Sequence, residues 1–170
     1  MKTRNTVLSG LFIAFGVILP MFFHQLNMGG PGFLPMHIPV LIGAFLLGPF
    51  SGLLIGFVTP LLSSILTGMP PAFPMLPIMF FELGFYGFIA GYLYKNLKLN
   101  IYISLIISMI VGRIVAGVVV FFLGEFFNFQ GPGPVAYVSG AVITGVIGIV
   151  IQLVAVPVIV KLIERGTNLK

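Results

Sequence analysis

The sequence predicts an all-α integral membrane protein: one domain over residues 1–170, six transmembrane helices, and both termini in the cytoplasm. Three observations carry that expectation. The chain is 59% hydrophobic and only 6% charged, whereas a soluble domain has roughly a quarter of its residues charged. With eight Lys and Arg and three Glu, it has too little polar surface to fold in water. Six apolar runs approach the length of a bilayer crossing, roughly 20 residues. The basic residues gather on alternate connections.

The runs, in chain order, are residues 7–23, 34–47, 50–66, 75–94, 101–123 and 135–163. The first follows Lys2 and Arg4 and superficially looks like a signal peptide. Its apolar stretch is longer than a usual signal core, and no small-residue cleavage site follows, so it reads as a retained helix. The second and third are short and separated only by Gly48-Pro49, a tight-turn signal. They predict a helical hairpin that crosses thinly, or one partly re-entrant segment. The third and sixth contain Pro60 and Pro157, which membrane helices tolerate because neighbours re-satisfy the freed carbonyl.

Loops 24–33, 67–74 and 124–134 contain no Lys or Arg. Every basic residue except Arg113 falls on the other side: Lys2, Arg4, Lys95, Lys98, Lys161, Arg165 and Lys170. The positive-inside rule then places both ends in the cytoplasm. This distribution also accounts for the net charge of +5, and no nucleic-acid partner is needed. The absence of cysteine removes disulfides, thiolate metal sites and thiol nucleophiles. The three outward loops are rich in Gly and Pro and carry amide side chains. Loops longer than a connection needs, on one face, predict a binding site there.

Ionisable residues inside a bilayer are costly unless paired or hydrated, so they mark candidate sites. Two qualify, Glu82 and Arg113, at depths of roughly 10 and 15 Å from the outer ends of their helices at the α-helical rise. They either pair to fix packing or turn their polar heads to a substrate. His24 and His37 flank the first outward loop. Beyond Glu125 no third ligand is evident on that side, so no metal is assigned, and the rings are candidates to stack on or hydrogen-bond a ligand. Asn27, Asn128, Gln130 and Tyr137 are polar candidates at the outer mouth, while Gln152 reads as a contact between helices. Met69, Phe73 and Met79 belong to a Met- and Phe-rich outer half whose soft, polarizable side chains suit a flat heteroaromatic ligand. Without Asp and with few buried charges, such a pocket cannot neutralise a multiply charged substrate. In the first helix, Gly10 and Ala14 form a small-x-x-x-small strip that permits close approach of another helix, from this chain or from a partner.

The run Leu46-Leu47-Gly48-Pro49-Phe50-Ser51-Gly52 resembles the L-x-G-P-x-x-G turn between the second and third helices of energy-coupling factor (ECF) transporter specificity subunits. Residues Glu82 to Lys95, ending Gly91-Tyr92-Leu93-Tyr94-Lys95, look like their fourth helix with its G-x-L-Y-[KR] exit. The resemblance covers nearly the whole chain. It implies a multi-pass protein of a bacterial-type plasma membrane that captures a vitamin-like small molecule from outside and topples to release it. It implies a transmembrane coupling subunit and two cytosolic ATPases as partners, with Gly10 and Ala14 as the docking strip. No cofactor is implied, and the chain has no G-x-x-x-x-G-K-[ST] loop of its own. Overall likeness favours a cobalamin precursor of the benzimidazole or ribazole type as substrate. The alternative is a stand-alone transporter driven by protons through Glu82. Enzyme function is not expected, since the H-E-x-x-H, G-x-S-x-G, Asp-pair and thiol signatures are all missing.

Overall fold

A computed structural model describes residues 3–25 and 30–166, and every element among them is helical. The elements are α1 (Thr3–Gln25), α2 (Gly30–Phe33), α3 (His37–Leu47), α4 (Pro49–Thr67), α5 (Met75–Gly91), α6 (Ile101–Phe127), α7 (Pro134–Thr144) and α8 (Val146–Gly166). A π-helical turn, Tyr92–Asn96, extends α5. Among the described residues, five segments are long and apolar enough to cross a membrane: Thr3–Phe23, Pro49–Thr67, Met75–Asn96, Ile101–Phe127 and Val146–Gly166.

Local chemistry sets most of these boundaries. Pro49 opens α4 at a first-turn position where its missing N–H costs nothing. Gly68 closes the same helix at φ 73°, a left-handed cap that favours glycine. Asn100 caps α6, its side chain accepting from the Tyr102 N–H at 2.9 Å. Asn128 ends that helix in the left-handed region at φ 50°.

Two expected segments differ from the observed helices. The second starts later, at His37, because residues 34–36 form a turn closed by the His37 N–H on the Leu34 carbonyl at 3.1 Å. What remains, α3, is only about 16 Å long at the α-helical rise. It is almost wholly buried within the bundle. The sixth segment divides at Gly145, whose ψ of 4° takes the chain off the helical path. A side chain there would meet the Ala141 carbonyl at 2.8 Å and Leu34 at 3.0 Å. Three residues on, Gly148 lets the backbone of Phe33 lie against α8, at 2.7 Å from where a Cβ would stand.

Close helix contacts rest on small residues, as membrane packing requires. Gly52 and Gly56 of α4 sit directly on the backbone of α5 at Gly87 and Leu83, so the two helices run antiparallel. Gly112 of α6 leaves room for the Tyr86 ring of α5. Gly91 lies against Gly48, and Tyr94 donates to Glu164 at 2.8 Å. The α3–α4 turn, the exit of α5 and the end of α8 therefore share one end of the bundle. The main core lies at that end, built from Leu41, Phe45, Tyr86, Leu105, Val156 and Val160. The opposite end is less filled and holds a cavity.

Candidate binding cavity

At the end away from Lys95 and Glu164, an open cavity of about 520 Å³ lies between α1, α3, α5, α6 and α7. Its walls are largely proline and methionine: Pro20, Pro35, Pro70, Pro71 and Pro132, with Met36, Met69, Met75 and Met79. The 67–74 loop is held in place by α4. Ser63 donates to the Met69 carbonyl at 2.6 Å and Ser64 to the Pro70 carbonyl at 2.7 Å. One wall is α7, which buries none of its residues and presents Ala136, Tyr137, Gly140, Ala141 and Thr144 to the cavity at helical spacing. The Tyr137 hydroxyl donates to the Met75 sulfur at 3.8 Å, tying that wall to α5.

Three buried polar side chains line the cavity from three different helices. Glu82 of α5 receives Arg113 of α6, with Nη1 to Oε1 at 2.8 Å. His37, in the first turn of α3, places Nε2 at 3.9 Å from the same oxygen. Their side chains are 3%, 10% and 3% exposed, respectively. Tyr86 organises the group. Its ring meets His37 edge-on at 5.1 Å, packs on Gly112 beside Arg113, and lies one helical turn from Glu82 on α5.

The cluster is paired but not satisfied. Among the described residues, both His37 nitrogens and the Nε and Nη2 of Arg113 have no hydrogen-bond partner. Glu82 Oε1 touches Nη1 but accepts no aligned hydrogen bond. Buried polar atoms are nearly always partnered, because an unmade bond forfeits the hydration it replaced. Five such atoms cluster in the three residues that border this cavity, each almost fully shielded.

The structure brings His37, Met69, Met79, Glu82, Arg113 and Tyr137 to this cavity. It leaves out Phe73, Asn128 and Gln130. Phe73 is exposed and stacks edge-on with Phe129 at 6.1 Å. Asn128 is the exposed cap of α6, and Gln130 is also exposed. His24 falls in the last turn of α1, and Asn27 lies outside the described residues. The α7 face had a sequence signal: small residues at 136, 140, 141 and 144. In a membrane segment that pattern reads equally as helix packing. Pro20, Leu34, Pro35 and Pro132 carry no individual signal of a site.

Gly10 and Ala14 lie elsewhere, exposed on α1. A Cβ at Gly10 would have no atom within 4 Å, while one at Gly16 would meet Thr59 at 2.5 Å. The small residues of α1 thus divide between two faces, with Ser9 and Gly16 inward and Gly10 and Ala14 outward.

A family model described as "ECF transporter, substrate-specific component" matches residues 4–160. No curated protein and no solved structure matches the chain.

Proposed function

The chain belongs to the substrate-specific components of ECF transporters, and from that premise we propose that its cavity captures a small vitamin-like molecule from the outside. Membership makes it a multi-pass transport protein that works with coupling and ATPase components. The carrying observation is the cavity itself, walled by Met and Pro and lined by the unsatisfied Glu82–Arg113–His37 cluster. A cavity of this volume falls within the range of small-molecule sites, roughly 300–1,000 Å³. Its soft apolar walls support a near-neutral ring compound, of which a benzimidazole or ribazole type is one example.

Native mass spectrometry of protein purified from cells grown in rich medium tests the reading. A single small molecule should accompany the wild-type chain and be depleted from Glu82→Gln. An empty wild-type protein, with no thermal stabilisation by a pooled set of vitamins, would count against capture.

The same proposal orients the protein in a bacterial-type plasma membrane. Counting α3 as a short crossing shielded by its neighbours gives six crossings, with both termini in the cytoplasm. The basic residues Lys95, Lys98, Lys161 and Arg165 support this side. A reporter active only in the cytoplasm should score at both termini and near Lys98, and stay silent within 67–74 and 124–134. A signal from 67–74 would overturn the orientation.

A further inference from the structure

We infer that Gly140 sets the room for the captured molecule, whose apolar body lies against the bare backbone of α7. The inference rests on the capture reading and names a specificity-determining residue within it. Glycine inside a helix is less favourable than alanine, so its presence there calls for a reason. For most helical glycines of this chain the reason is the bundle. A Cβ at Gly52, Gly56 or Gly87 would strike the backbone of the facing helix, and one at Gly112 would strike the Tyr86 ring. Gly140, in the middle of α7, has no such neighbour: its Cβ would find no atom within 4 Å. Gly10 and Gly124 are alike in this, but of the three only Gly140 lines the cavity.

Two contacts fix the rotation of α7 that turns this position inward. Val138 packs on α6, 3.1 Å from the Cβ position at Gly117. Tyr137 donates to Met75 of α5 at 3.8 Å. Residues 136, 140 and 144 then follow at intervals of about one turn along the cavity side. Small residues alone would mark helix packing as readily as a ligand surface. Here a second observation decides. His37, Glu82 and Arg113 line the same cavity with side chains 3%, 3% and 10% exposed, and polar atoms of all three have no protein partner. Arg113 Nη2 lies 3.5 Å from the Cβ position at Gly145, where α7 ends. Unpartnered polar groups bordering the same space are the mark of a site and not of a loose packing joint. A larger residue at 140 would enter that space without displacing the bundle.

The experiment compares the wild-type chain with Gly140→Ala, Gly140→Leu and Gly124→Leu, each purified at full length in detergent from cells grown in rich medium. Native mass spectrometry reads the small-molecule mass that each carries, and heating reads stability with and without the pooled vitamins. Both Gly140 variants should fold and, in the ligand-free form, melt no lower than the wild-type chain. Occupancy should fall in the order wild type, alanine, leucine. The leucine variant should be lower by about tenfold or more, the effect of forcing extra bulk into a fitted space. Gly124→Leu adds the same bulk at an open glycine outside the cavity and should carry the wild-type load. A Gly140→Leu protein that carries the wild-type load overturns the inference and leaves capture standing. One that fails to fold also overturns it, since the bundle would then need the glycine. Equal loss in Gly124→Leu does the same. A wild-type chain that is empty and gains no stability from the pooled vitamins overturns both.

Discussion

Arg113→Met should destabilise the ligand-free protein by about 3–5 kcal/mol, because it strands the Glu82 carboxylate in a buried site. Glu82 is 3% exposed and its ionic partner is Arg113, at 2.8 Å. Glu82→Met should also destabilise, though less, since the guanidinium borders the cavity and can draw on water there. The double variant Glu82→Met/Arg113→Met should cost far less than the two single effects combined. It removes both charges and leaves apolar side chains among Met36, Met75 and Met79. A double-mutant cycle on unfolding in detergent measures the coupling directly. Additive effects would mean that the two groups occupy separate environments, contrary to the observed contact. Glu82→Gln serves a different end. It preserves shape, should leave a folded protein, and should weaken binding of the molecule that accompanies the wild-type chain. Unchanged affinity would make the pair a device for packing α5 against α6.

Gly10→Leu or Ala14→Leu should abolish uptake in cells while the purified protein folds and binds ligand normally. Both positions are exposed on α1, and a side chain at Gly10 has open space around it. The bundle can therefore accept leucine at either site. What leucine removes is the flat strip through which another helix backbone approaches closely, here the proposed contact with the transmembrane coupling subunit. Gly16→Leu is the internal control. It drives a side chain into Thr59 of α4 and should damage the fold itself, because overpacking costs about 1–3 kcal/mol or more. Loss of ligand binding in the Gly10 and Ala14 variants would show that the strip serves the bundle after all. Uptake that survives deletion of every ATPase partner would remove the coupling-factor mechanism and favour a self-sufficient transporter.

The helices, the membrane class and the weight of Glu82 and Arg113 were legible in the sequence by itself, because each depends on properties that add up along the chain. Transfer of apolar side chains from water is nearly additive, so runs of them mark crossings. A lone carboxylate or guanidinium within such a run stands out for the same reason. The asymmetry of Lys and Arg is likewise a matter of counting along the chain. Partnership is not additive in this way. Residues 37, 82 and 113 come together only because Gly112 admits Tyr86, which draws α5 and α6 together and sets His37 against its ring. The break at Gly145 was hidden because the chain is predominantly apolar on both sides of it, and what lies against it is the approach of Leu34 and Phe33 from α2 and the turn after it. Asn128 and Gln130 looked like ligand contacts by residue type, yet the end of α6 carries them to an exposed surface. Gly10 and Ala14 read as a strip that could face this chain or a partner, until packing of Gly16 against Thr59 set the inward face of α1 and left Gly10 and Ala14 facing out. Hydropathy determines which segments leave water. Only contacts between segments distant in sequence decide which face of each is buried, and so where a cavity and its charges lie.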